Sequence, residues 1–243
     1  MQKIGVFDSG VGGLSILNEL LKELPYEDFY YYGDSLNNPY GEKSDEELLK
    51  ITSNIVEKLI NKNCKLIVIA CNTATTRCMK KLREIYSNVI FVGTVPAIKV
   101  ACDKRFKNTL VMATPATIES ERTYELIRDN KRYDQNIYLL PCPGLANAIE
   151  QNDKEKIKRI LQNDFKDYKD KEIDAIVLGC THYPFIREEI LEEMPNTVLI
   201  DGSTGVSKEV KRQLEEHGLL NDERVRKIEI YNSLTEKLET IVE

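Results

Sequence analysis

The sequence predicts an α/β fold of two similar doubly wound domains with mainly parallel sheets. Short apolar, β-branched runs alternate with longer amphipathic ones along the 243 residues, which is the pattern of βαβ units. Two of these runs repeat one design. Leu66-Ile67-Val68-Ile69-Ala70-Cys71-Asn72-Thr73 and Ala175-Ile176-Val177-Leu178-Gly179-Cys180-Thr181-His182 each close an apolar strand with a cysteine and small hydrogen-bonding residues. Uninterrupted runs of this kind suit strands covered on both faces, and ligands of open α/β sheets bind beyond the carboxyl ends of such strands. The simplest architecture is therefore a duplicated unit with the active site in a cleft between the copies. The first domain is expected over 1–95 plus 206–243 and the second over 96–205. The chain would cross at Pro96 and return through Asp201-Gly202-Ser203-Thr204-Gly205.

Strands are expected over 3–7, 29–33, 66–70, 89–92, 109–113, 137–140, 175–179, 198–201 and 228–231, each an apolar run bounded by turn formers. Helices fill the gaps, over 14–24, 45–61, 75–86, 118–129, 155–168, 185–194 and 206–217. The clearest is 45–61. Ser44 is its N-cap, Glu47 completes a capping box, and Leu48, Leu49, Ile55, Val56, Leu59 and Ile60 form its apolar stripe. His217 precedes Gly218 at a helix end, where a capping role suffices.

Composition narrows the class. An apolar content of 42% supplies sizeable cores, and 34 Lys plus Arg against 40 Asp plus Glu give a net charge of −6. No basic stripe offers a nucleic-acid footprint, and no apolar run approaches the ~20 residues of a membrane span. The first residues enter a strand without a charged leader and apolar signal segment, so the cytoplasm is the expected compartment. The six cysteines, Cys64, Cys71, Cys78, Cys102, Cys142 and Cys180, are expected as thiols. None is placed as in Cys-x2-Cys, so neither a metal site nor a thioredoxin-type motif is expected.

Strand one ends in Phe7-Asp8-Ser9-Gly10-Val11-Gly12-Gly13. As structure this is a tight turn with an Asp or Ser cap. It lacks the Gly-x-Gly-x-x-Gly spacing of a dinucleotide site and the Gly-Lys-Ser/Thr of a Walker loop. What it offers is a short acidic group and open backbone amides at a helix N-terminus, which suit a zwitterion. The loop Asp34-Ser35-Leu36-Asn37-Asn38-Pro39-Tyr40-Gly41 is long for a crossover and could present backbone N–H groups to a carboxylate. A lone cysteine is more often an inert small hydrophobe. Cys71 rises above that reading because a helix N-terminus lowers a thiol pKa from ~8.5, and because Cys180 repeats its context. His182, two residues beyond Cys180, is placed to orient a thiolate. The other four cysteines read as packing residues.

Taken together these motifs resemble the glutamate racemases of the aspartate/glutamate racemase superfamily. The match runs in order through Ile4-Gly5-Val6-Phe7-Asp8-Ser9-Gly10-Val11-Gly12-Gly13-Leu14, Gly33-Asp34-Ser35, Pro39-Tyr40-Gly41, Ala70-Cys71-Asn72-Thr73-Ala74, the 114–120 stretch and Leu178-Gly179-Cys180-Thr181-His182-Tyr183-Pro184. The chain departs from the usual pattern at Val95-Pro96 and at Cys142-Pro143-Gly144-Leu145-Ala146-Asn147-Ala148-Ile149-Glu150, the segment in which the resemblance implies a supporting role for Glu150. The resemblance implies a cofactor-independent racemase that interconverts L- and D-glutamate and supplies the D form for peptidoglycan, hence for the cell wall and cell shape. It implies Cys71 and Cys180 as the two bases, with Asp8 and His182 beside them. Asp8, Ser9, Tyr40, Gly41, Asn72, Thr73, Thr117, Thr181 and His182 would hold the substrate. A homodimer is compatible with it, and neither metal nor cofactor is called for. Three rivals are an aspartate racemase on the same scaffold, a non-catalytic amino-acid binder and a cysteine hydrolase. The binder needs no thiols and the hydrolase only one.

Overall fold

In the computed structural model, residues 2–222 and 225–243 are described. The chain divides into two compact units. One comprises the residues up to Thr94 together with those from Ser203 onward, and the other comprises Val95–Gly202.

In chain order the first unit opens with β1 (Lys3–Asp8), α1 (Leu14–Glu23), β2 (Phe29–Gly33), α2 (Asp45–Asn61), β3 (Cys64–Ile69), α3 (Asn72–Ile85) and β4 (Ile90–Gly93). The second unit follows as α4 (Ile98–Asp103), β5 (Asn108–Ala113), α5 (Pro115–Ile118), α6 (Glu121–Asn130), β6 (Asn136–Pro141), α7 (Leu145–Glu150), α8 (Lys154–Asp164), β7 (Ala175–Leu178), α9 (Arg187–Glu193) and β8 (Val198–Ile200). The chain then returns to the first unit with α10 (Ser203–Glu216), β9 (Lys227–Asn232) and β10 (Lys237–Val242).

The first sheet has the order β10-β9-β2-β1-β3-β4, and the second β6-β5-β7-β8. Every pairing is parallel except that of β10 with β9. Both sheets contain one order, second-first-third-fourth, which supports the duplication read from the sequence. In each, the strand order reverses beside the first strand of the unit. The crevice at such a reversal is where α/β sheets hold ligands. In the first unit it opens at the tips of β1 and β3, and in the second at those of β5 and β7.

Side chains alternate across covered faces. Ile4 and Val6 of β1 pack with Leu17, Leu20, Val210 and Leu214, whereas Phe7 joins Ile67, Ile69, Ile55 and Leu59 on the other side. In the second unit Leu110, Met112, Ile176 and Leu178 face one cluster, and Val111, Ala113 and Val177 the other. Each of the Val, Leu, Ile, Phe and Met side chains among them contributes about 1.5–3 kcal/mol of burial. Gly179 lies where β5 and β7 approach closely: a Cβ there would meet Ala113 Cβ at 2.9 Å and the Met112 carbonyl at 3.0 Å.

Several elements differ from expectation. The helix expected over 118–129 begins at Glu121, because Ser120 accepts the Thr123 N–H at 3.3 Å and caps α6, and the short α5 precedes it. The helix expected from 75 begins at Asn72, with Cys71 as its N-cap. Ser44 caps α2 as expected, while the Glu47 side chain takes Lys43 Nζ at 3.1 Å. Ile60 lies off the buried stripe, 39% exposed. His217 Nδ1 meets the Gln213 carbonyl at 2.8 Å, as its place at a helix end suggested.

Burial pushes the Cys64 thiol and the Tyr30 phenol up to about 12, and drives Cys142, Tyr40 and Tyr183 well above their ordinary ranges. Above the ordinary thiol value the unfolded chain loses protons that the folded chain keeps, so the folded state loses stability as pH rises. The melting temperature is expected to fall between about pH 9 and pH 12, and less steeply in Cys64→Ala. Scanning calorimetry across that range checks this, and parallel profiles for the two proteins would contradict it.

Candidate active site

Asp8 closes β1 and is fully buried. Its Oδ2 accepts the Gly10 N–H at 3.2 Å and the Gly13 N–H at 3.0 Å, so the following turn wraps around the carboxylate. Those two amides are thus engaged by Asp8, not open to a ligand as the sequence suggested. Tyr31, from β2, donates its hydroxyl to the Gly10 carbonyl at 2.7 Å. Only glycine fits at 13: a Cβ would lie 2.6 Å from Asp8 Cβ and 2.9 Å from the Tyr31 hydroxyl.

One strand over, Cys71 follows β3 and caps α3 in an extended conformation, φ −118° and ψ 120°. Its thiol is buried, 3.9 Å from Ser9 Oγ. The orphan amides and positive dipole end of α3 begin at this residue, a setting that favours thiolate. Asn72 and Thr73 form the first turn of α3 and are buried. Asn72 Oδ1 is buried without a hydrogen-bond partner. An orphan acceptor costs about 1–3 kcal/mol, which a ligand donor would recover. Tyr40 turns its phenol inward, donating to Asp34 Oδ2 at 2.7 Å. It leaves its main chain and that of Gly41 to open a 3-10 turn, Tyr40–Glu42, whose first amides lack acceptors within the turn.

In the second unit Cys180 follows β7 and Gly179, with its thiol buried. Its Sγ is 3.8 Å from His182 Nδ1, and His182 Nε2 is 2.5 Å from Glu150 Oε2. A carboxylate on one ring nitrogen fixes the ring for the sulfur on the other. Thr181 is buried beside them. At the neighbouring tip of β5, Thr114 caps α5 and contacts the buried Thr117, Oγ to Oγ, at 3.0 Å. Thus Asp8, Ser9, Cys71, Asn72 and Thr73 gather in the first unit, and Cys180, Thr181 and His182 in the second. Among the described residues no cluster of three or more His, Cys, Asp or Glu could hold a metal ion. No described helix is long and apolar enough to cross a membrane.

Residues 30–206 match the family model described as Asp/Glu/Hydantoin racemase. The chain belongs to that family. The glutamate racemase of Clostridium acetobutylicum is 47% identical over 235 residues, spanning 95% of this chain and 91% of that one. Among solved structures, glutamate racemase isoform RacE1 from Bacillus anthracis superposes with a TM-score of 0.84 at 29% identity, covering 96% of this chain and 88% of that one. The Francisella tularensis glutamate racemase, solved with D-glutamate, gives 0.82 at 34% identity over 96% of this chain and 88% of that one. The protein is an amino-acid racemase, an isomerase of the two-domain α/β fold.

Within the racemase, Glu150, whose supporting role the resemblance implied from a segment that departs from the usual pattern, is the polar partner of His182. It ends α7, a six-residue helix that Gly144 introduces at φ +75°. The apolar spacing Leu145, Ala148, Ile149 after Pro143-Gly144 was the available signal. Cys64, Cys78, Cys102 and Cys142 lie in or against the cores. Of these only Cys142 follows a strand end, that of β6, and β6 is not one of the two strands between which the order reverses.

Proposed function

We propose that this racemase interconverts L- and D-glutamate with Cys71 and Cys180 as opposed bases, and supplies D-glutamate for peptidoglycan in the cytoplasm. One thiolate takes the α-proton, breaking Cα–H and forming S–H. The other thiol gives its proton to the opposite face, and in the reverse direction the two exchange roles. The observation that carries this reading is the position of both thiols at the same place in two like sheets, each at the strand reversal beside a polar partner. The family membership and the glutamate racemases it resembles support the substrate.

An α-proton is far less acidic than a thiol, so fixed donors in a dry site must stabilise the developing carbanion. Asp8 and Ser9 would serve Cys71, and His182, held by Glu150, would serve Cys180. Asn72 Oδ1, together with Asp8, is suited to the substrate ammonium. Thr73, Thr117, Thr181 and the amides of Tyr40 and Gly41 would take its carboxylates. No cofactor enters these steps. Solutions of L-glutamate and of D-glutamate incubated with the protein should both lose their circular dichroism, since the enantiomers are equal in free energy. A signal that persists in both would overturn the assignment.

A further inference from the structure

We propose that Ser233, in the turn joining β9 and β10, is a positioning residue for the 34–41 loop, and so for glutamate affinity. The proposal rests on the reading of Tyr40 and Gly41 given above. Asp34, which opens the loop, is a buried carboxylate with its donors supplied by three side chains. Asn37 Nδ2 donates to both its oxygens, at 3.0 and 2.9 Å, and Tyr40 donates to Oδ2 at 2.7 Å. Both come from the loop itself. The remaining donor is Ser233, whose hydroxyl reaches Asp34 Oδ1 at 2.9 Å from 199 residues away.

The same hydroxyl oxygen accepts the Leu36 N–H at 3.0 Å, and the Ser233 N–H donates to the Gly33 carbonyl at 2.9 Å. Asn232 adds a second hold, donating Nδ2 to Ser35 Oγ at 3.0 Å. Its Oδ1 meanwhile accepts the N–H groups of Leu234 and Thr235 at 3.0 and 3.2 Å and shapes the turn. The Asp34 N–H in turn donates to the Asp8 carbonyl at 2.9 Å, so the anchor is one residue from the β1 tip. A buried carboxylate is held only as well as its donors are fixed. Ser233 is buried and closes this set from the turn after β9, which gives the loop a fixed frame outside itself. Its hydrogen bonds go to Gly33, Asp34 and Leu36, not to Cys71 or Asp8, so its loss should alter binding and spare the proton transfers.

Ser233→Ala is expected to raise KM for both enantiomers about three- to tenfold, the worth of one or two hydrogen bonds, with kcat within about twofold. Ser233→Thr, which keeps the hydroxyl, should return KM to within about twofold of the parent. An unchanged KM in Ser233→Ala, or equal defects in the Ala and Thr variants, would overturn the proposal. Should Ser233→Ala fail to fold, Ser35→Ala cuts the second hold and is read the same way: a raised KM supports the frame and an unchanged one overturns it. Gly41→Pro, which deletes a loop amide, separates the two layers of inference. A higher KM there with none in Ser233→Ala removes the role of Ser233 and leaves the loop in the site. An unchanged KM in Gly41→Pro removes the loop from the site and the proposal with it.

Discussion

Alanine at Cys71 or at Cys180 is expected to lower kcat/KM for racemisation about a thousandfold or more, since each change removes the acid or base for one face. Neither should unfold the protein. Each thiol stands at a strand tip, not in the middle of a sheet face, and the change deletes a single heavy atom. The contrast with the other cysteines makes the assignment specific. Alanine at Cys64, Cys78, Cys102 or Cys142 should leave turnover largely intact, although Cys142, packed among Leu140, Leu145 and Tyr183, would lose core contacts. Initial rates from circular dichroism, with unfolding midpoints measured alongside, check all six. Substantial activity in either of the first two variants would disprove the pairing.

Glutamate is expected to exceed aspartate in kcat/KM by about a hundredfold or more. Fixed amides and hydroxyls that engage the side-chain carboxylate cannot follow it when the chain is one methylene shorter. Their buried donors would then stay unpaired, at about 1–3 kcal/mol each. Glutamine should be poor for a related reason, because its amide brings no charge. Parallel assays with the three L-amino acids measure this. Comparable rates with aspartate would move the substrate assignment to the rival on the same scaffold while leaving the racemase chemistry in place.

The parts of the fold that were legible in the sequence are those whose physics is local. The runs 66–70 and 175–179 announce covered parallel strands because no polar residue interrupts them. β10 was missed for the opposite reason: all six of its residues are exposed, so Lys237–Val242 carries no burial pattern to read. The start of α3 was placed late because no side-chain cap marks it; the extended backbone of Cys71 does that work.

The site divides in the same way. Both thiols and His182 were legible because each stands within a few residues of a strand end. Glu150 entered only through the resemblance and its partner was not legible, since it reaches His182 across 32 residues through a short helix introduced by a left-handed glycine. Nor was Ser233, whose bond to Asp34 depends on β9 pairing with β2 late in the chain. The open amides expected after β1 failed on tertiary grounds: Asp8, folded back by the close approach of Gly13, takes them.

The central claim, one sulfur for each face of the α-carbon, is tested most directly by racemisation of L-glutamate in deuterium oxide, with the isotope at Cα read by NMR or mass spectrometry at early times. Two opposed thiols predict D-glutamate that carries solvent deuterium at Cα, and recovered L-glutamate that is still mostly protiated. Substrate hydrogen carried over into the D product would mean a single base serving both faces, and would contradict the account.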